Sequence, residues 1–313
     1  MSRIPTWWMA TRPFAFPASI MPALLGGVVA LVHAGARLDA LRFLLAALGA
    51  AAVHAGANLL NDYFDYRNGV DTAATRGASR GMLVSGRMTP REVLLEAFVC
   101  WGIAAALALY FVLAVGPLLL PLIAAGLVLG AGYTAAPLRW KYRALGDACV
   151  FLAFGVGVTL GAYAVQAGRL SWTPVWYSLP VGLLIWAILH ANNLRDIATD
   201  RAARIRTLAM ALGARGARGL YAALLAAAYL LTLGFVLGGV FKPGALLPWL
   251  SLPLAAGLLR GALRAGATPE AAPGAGLEAG PPVALVTLDI RTAQLQMVFV
   301  ALLVLGLLGS LVL

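Results

Sequence analysis

The chain has 313 residues, of which 62% are hydrophobic and 11% charged, with a mean hydropathy of +0.88. That balance excludes a water-soluble domain with a polar surface, and repeated apolar runs of about 20 residues, the length that spans a bilayer as a helix, indicate a polytopic membrane protein. A net charge of +11 would suggest nucleic acid in a soluble protein, but here the cations sit in the joints between apolar runs, so a lipid bilayer is the expected partner and nucleic acid is not.

In chain order the apolar runs cover residues 14–34, 43–61, 93–114, 118–136, 147–166, 174–191, 219–240, 246–263 and 293–313. They predict an all-α protein of nine transmembrane helices around a central cavity, forming one domain over residues 1–313. Trp7 and Trp8 precede the first run as interfacial anchors, and Pro5, Pro13 and Pro17 interrupt it, which argues against a cleavable leader. Cys100 and Cys149 fall inside predicted helices and read as reduced, buried hydrophobes. The Ala-, Gly- and Pro-rich stretch 266–282 reads as a loop between the last two helices. With a cytoplasmic N-terminus, all of the 23 Lys and Arg residues except Arg37, Arg42, Arg169 and Lys242 face the cytoplasm. That asymmetry orients helical membrane proteins.

Two acid-rich strings follow the second and sixth runs: NLLNDYFDYRNGVD at 58–71 and NNLRDIATD at 192–200. Both fall on the cytoplasmic side, where the joints would form a polar cap. They hold Asp62, Asp65, Asp71, Asp196 and Asp200, five of the twelve acids in the chain. A carboxylate next to hydrocarbon costs on the order of 3 kcal/mol, so several of them together point to a site. Asn58, Asn61, Asp62 and Asp65 share one helical face, and Asn192, Asn193, Asp196 and Asp200 repeat the device. Two facing stripes would make an oxygen-only cage for a hard ion such as Mg²⁺, whereas zinc would call for Cys and His. Mg²⁺ bridges carboxylates to substrate phosphates, and basic residues stand near: Arg67, Arg76 and Arg80, then Arg139, Lys141 and Arg143, then Arg195, Arg201 and Arg206. Each is also explained as an ordinary inside-loop charge. Together they suit a diphosphate whose apolar tail lies among the helices.

The strings RPFAFPASIMPALLG (12–26), NDYFDYRNGVD (61–71), YTAAPLRWKYRALGD (133–147), AYAVQAG (162–168) and ILHANNLRDIATDRAARIRTLAMALG (188–213) resemble the UbiA superfamily of intramembrane aromatic prenyltransferases. Within it the chain is most similar to the 1,4-dihydroxy-2-naphthoate branch of menaquinone synthesis and its animal menaquinone-4-forming relative. The 4-hydroxybenzoate branch usually has an Asp where this chain has Gly69, and here the acid comes at Asp71. The resemblance implies Mg²⁺ and a prenyl diphosphate held by Asn61, Asp65, Asp196 and Asp200, with Asp62 and Asp71 as further metal-side acids. From their nearness to the acidic stripes, Arg67, Arg76, Arg139, Lys141, Arg195 and Arg206, with Asn193, are the expected diphosphate contacts. Arg206 also matches a basic position of the family, and Tyr133 and Lys141 lie in the block the family uses near the diphosphate and acceptor, which implies catalytic roles for them beside the Asp residues. Many bacterial members carry Gly-Lys where this chain has Arg204 and Ile205.

The implied reaction is ionisation of an allylic polyprenyl diphosphate and attack by 1,4-dihydroxy-2-naphthoate, with loss of CO₂, giving demethylmenaquinone in a bacterial inner membrane. The alternatives are another acceptor, 4-hydroxybenzoate or homogentisate, and an ion-coupled transporter whose acids bind the coupling cation. An interfacial Tyr and a snorkelling Lys would look like Tyr133 and Lys141. His190 fits helix packing as well as acceptor positioning, Asp147 reads as a loop or cap residue, and His33 and His54 carry no distinguishing context.

Overall fold

A computed structural model describes residues 5–72, 81–134, 137–202, 205–265 and 283–311. Its long apolar helices are α1 Pro13–Ala34, α2 Ala40–Arg67, α3 Pro90–Val115, α4 Pro117–Gly132, α5 Gly146–Ala167, α6 Thr173–Arg195, α7 Leu208–Leu237, α8 Pro243–Arg264 and α9 Leu288–Gly309. Among the described residues there is no strand.

Among the described residues, apolar helices occur at the nine expected places, but eight are long and apolar enough to cross a bilayer, and α4 is shorter. The run expected to reach residue 136 stops at Gly132, where the chain folds back on itself. A Cβ at Gly132 would fall 2.6 Å from Leu138 Cδ1 and 2.7 Å from Trp140 Nε1, so the returning loop occupies the space a longer helix would need. Several other ends move outward. Helix α2 continues from the expected residue 61 to Arg67, and α7 begins at Leu208 with a kink at Gly213, whose φ of +67° is comfortable only for glycine. Hydropathy marks where the hydrocarbon ends, whereas helical hydrogen bonding persists into the polar layer.

Close approach by small residues holds the bundle together, since lipid offers no hydrophobic drive for helices to associate. Residues 151–157 of α5 widen into π-helical turns, and there a Cβ on Gly155 would lie 2.6 Å from Gly182 Cα of α6. The main core gathers Leu25, Tyr163, Tyr177, Leu184, Tyr221 and Phe299 from α1, α5, α6, α7 and α9. Buried hydroxyls are satisfied between helices: Tyr221 to Thr292 at 2.7 Å, and Tyr229 to Ser251 at 2.6 Å. Cys100 is half-buried and Cys149 buried, and both are free.

Successive helices alternate in direction. The C-terminal ends of α2, α4 and α6 and the N-terminal ends of α5, α7 and α9 therefore meet at one end of the bundle. Both acid-rich strings are there.

Candidate functional site

The first string is helical because α2 runs through it to Arg67. Asp65 is fully buried. Its Oδ2 accepts from Lys141 Nζ at 2.5 Å and from Asn61 Nδ2 at 3.1 Å, and its Oδ1 accepts from the Tyr142 hydroxyl at 2.9 Å. Lys141 also donates to Asn61 Oδ1 at 2.8 Å. The Asp65 carbonyl accepts from the amides of Val70 and Asp71, at 2.8 and 3.2 Å. A turn through Gly69, at φ +70°, thus brings buried Asp71 back against the helix. Asp62 is turned aside into an ion pair with Arg12, and Asn58 donates to the Thr11 carbonyl at 3.2 Å.

Lys141 and Tyr142 are presented by a 3₁₀ turn over Trp140–Arg143, flanked by Arg139 (φ +47°) and Ala144 (φ +58°). A left-handed non-glycine residue costs about 1–2 kcal/mol. Cross-links fix the loop against that cost: the Lys141 amide bonds the Tyr133 carbonyl, and the Ala144 amide bonds the Arg206 carbonyl, both at 2.9 Å. Burial, and then the Asp65 charge, push the Tyr142 phenol up from its usual range, so it stays a donor. Burial, then Asp147 and Asp65, push Tyr133 up in the same way.

In the second string α6 ends at Asp196, and a short helix, Ile197–Ala202, carries Asp200. Arg195 Nε and Nη2 grip the two Asp196 carboxylate oxygens at 2.9 and 3.0 Å. Its Nη1 reaches Asp289 of α9 at 2.7 Å, and Nη2 also pairs with Asn192. Asp196 and Asp200 are buried. Ile205 is buried too, its amide bonded to the Asp200 carbonyl at 3.0 Å, so the position that is often Lys in the family faces inward here.

A cavity of about 970 Å³ opens beneath the two strings. Asn61, Lys141, Asn192, Asn193, Asp200 and Asp289 line its mouth, and apolar side chains such as Trp101, Leu122, Phe154 and Leu160 wall the interior. One carboxylate of each string is paired with a cation, Asp65 with Lys141 and Asp196 with Arg195. Among the described residues no three carboxylate, imidazole or thiol side chains converge as a metal set. Arg67, Arg139, Arg143, Arg201 and Arg206 are exposed and do not line the cavity, Arg67 being in contact with Tyr63, while Arg76 and Arg80 lie outside the described residues. His190 bonds the Ala217 carbonyl at 2.9 Å and faces buried Asp147 at 3.7 Å, which is the packing role. Three residues of the cluster escape a reading of the sequence: Tyr142, Arg12 and Asp289. Only Asp289, a lone acid at the start of an apolar run, left a signal.

The UbiA prenyltransferase family model matches residues 19–275. The chain is 32% identical over 246 residues to the 1,4-dihydroxy-2-naphthoate octaprenyltransferase of Bacillus subtilis, covering 79% of this chain and 78% of that one. It is 35% identical over 257 residues to UbiA prenyltransferase domain-containing protein 1 of Xenopus tropicalis, covering 82% and 73%. Its fold is similar to that of a UbiA homologue from Archaeoglobus fulgidus bound to DMAPP and Mg²⁺, with TM-score 0.62, 17% identity, and coverage of 96% and 99%. The apo structure of a UbiA homologue from Aeropyrum pernix also gives TM-score 0.62, with 16% identity and coverage of 93% and 97%. Transport therefore gives way to group transfer: this integral membrane chain is an enzyme and belongs to the UbiA prenyltransferase family.

Proposed function

We propose that the chain transfers a polyprenyl group from an allylic diphosphate to 1,4-dihydroxy-2-naphthoate, with loss of CO₂, to give the quinol form of demethylmenaquinone. The observation that carries this reading is the apolar cavity of about 970 Å³ whose mouth is lined by Lys141, Asp200 and three asparagines. It suits a substrate with a charged head and a hydrocarbon tail. The naphthoate acceptor is supported by the 32% identity to the Bacillus subtilis enzyme and by Gly69 and Asp71 in the first string.

The donors fit Mg²⁺: Asp65, Asp71, Asp196 and Asp200 are buried carboxylates and Asn61 adds an amide oxygen, with no thiol or imidazole among them. These residues, with Asp62 alongside, would hold the ion, which when bound supplies charge neutralisation to the departing diphosphate. Lys141 and Arg195 supply fixed positive charge near the mouth, Arg67, Arg139 and Arg206 add to it, Asn193 offers an amide, and Arg76, outside the described residues, would be a further diphosphate contact. Tyr133 orders the Lys141 loop through its carbonyl. The apolar walls keep water from the allylic cation until the ring attacks. In this reading one domain over 1–313 crosses a bacterial inner membrane nine times, N-terminus inside, with both strings in a cytoplasmic cap.

The test is the mass of the lipid formed when membranes carrying the chain receive a labelled prenyl diphosphate and each acceptor in turn. Demethylmenaquinone is expected, and turnover with 4-hydroxybenzoate or homogentisate alone would sink the naphthoate assignment. Chelation should abolish transfer and Mg²⁺ or Mn²⁺ restore it. Full rates in exhaustively chelated enzyme would refute the metal role.

A further inference from the structure

Below the head cluster the cavity wall carries an island of polarity. His54 lies on α2, at i−4 from Asn58 and i−7 from Asn61, so all three share the cavity face, and His54 sits about 10 Å along the helix axis from Asn61. Its ring is flanked by Phe154 at 4.6 Å and Phe16 at 5.9 Å between centroids. Its Nδ1 is 3.1 Å from the Oγ of Ser19, a fully buried residue of α1.

The hydrogen-bond partners favour one tautomer. A serine hydroxyl has one proton, and the Phe16 carbonyl, 3.1 Å from Ser19 Oγ, can only accept it. With that bond made, the imidazole is the donor at Ser19, through Nδ1–H. In the neutral ring that leaves the Nε2 lone pair on the opposite edge of a side chain that lines the cavity, with Arg12 and Asn58 as the nearest polar side chains of that lining. A prenyl tail has no use for a lone pair. A hydroxylated aromatic ring does, and Phe154 and Phe16 offer it π faces.

We propose that His54 is a catalytic residue of the acceptor half-site, accepting a hydrogen bond from a ring hydroxyl of the aromatic acceptor through Nε2. The inference rests on the prenyl-transfer reading above. As the ring carbon bonds to the allylic carbon, the acceptor O–H bond breaks, its proton passes to Nε2, and its electron pair forms the ring carbonyl of a dienone. When the ring carboxylate leaves as CO₂, the C–C bonding pair restores the aromatic ring, and the oxygen takes its proton back from His54. No oxidant or reductant is needed, and the base is regenerated. Ser19 acts as a positioning residue that holds the tautomer.

The experiment uses the full chain in lipid nanodiscs with prenyl diphosphate and 1,4-dihydroxy-2-naphthoate, reading acceptor turnover and acceptor-independent diphosphate release separately. In His54→Asn the amide nitrogen can still meet Ser19 while nothing stands at Nε2. Acceptor kcat/KM should fall about 100-fold or more, with the KM for prenyl diphosphate and the acceptor-independent release within about twofold of the unsubstituted chain. His54→Gln, with an amide oxygen near the Nε2 place, should recover acceptor KM but not kcat. Ser19→Ala, which keeps the imidazole and changes little volume, should lower acceptor kcat several-fold and serves if His54→Asn fails to fold. Unchanged acceptor kinetics in the folded His54 variants, or in Ser19→Ala when His54→Asn does not fold, would overturn the proposal, as would parallel loss of both activities. Absence of aromatic turnover by the unsubstituted chain would overturn the prenyl-transfer reading and this inference with it.

Discussion

Asp65 shows how a carboxylate is kept at the membrane edge. It has no exposed surface, and its oxygens accept from Lys141, Asn61 and Tyr142. Removing one partner of such a pair leaves a buried charge uncompensated, which costs about 3–5 kcal/mol. Lys141→Ala and Asp65→Ala should each lower the unfolding temperature in detergent and abolish prenyl transfer. The double variant should be more stable than the sum of the single losses, by about 1–3 kcal/mol in a double-mutant cycle. Strict additivity would mean that the pair contributes no coupling. Tyr142 adds a pH signature. Burial and Asp65 hold its phenol protonated in the folded protein above the ordinary value near 10. Through the window above that value the unfolded chain loses a proton that the folded chain keeps, so stability falls as pH rises. Tyr142→Phe should make that alkaline decline shallower, and an unchanged slope in pH-dependent unfolding would contradict the assignment.

Helices were legible in the sequence to the extent that they are apolar. All nine runs correspond to helices, yet hydropathy ends α2 at residue 61 when it reaches Arg67, and begins α7 at 219 when it starts at Leu208. Both misjudged ends carry site residues or abut them, because the functional layer is where helices leave hydrocarbon. The π-helical stretch of α5 had no periodic signature at all, since its cause is the contact of Gly155 with Gly182 rather than a local pattern. Gly155→Ala should force α5 away from α6, costing about 1–3 kcal/mol through overpacking. Thermal unfolding measures that, and wild-type stability would show that the two helices can part freely.

On the scale of the molecule, the acid strings were legible because acids are rare in this chain, whereas their partners were not. Arg12 meets Asp62 across 50 positions, Lys141 meets Asp65 across 76, and Asp289 meets Arg195 across 94. No local pattern encodes such distances. His54 was invisible for a different reason: only the Ser19 and Phe16 contacts distinguish it from a core histidine. Alternation of helix direction puts Arg87, before α3, at the same end as the site and Arg169, after α5, at the other. In a chain lacking Cys100, a membrane-impermeant thiol reagent should label Arg87→Cys only from the cytoplasm and Arg169→Cys only from outside. The reverse pattern would overturn the sidedness while leaving the fold intact.

The Arg195–Asp289 bond gives biogenesis an order. Until α9 has been synthesised and inserted, Arg195 has its neighbours Asn192 and Asp196 but not the carboxylate of Asp289, which lines the cavity mouth beside it. A nascent chain therefore carries both acid strings through most of its assembly without a finished mouth to present them. The mouth is complete only with the last apolar helix in position, as an arch is only with its keystone.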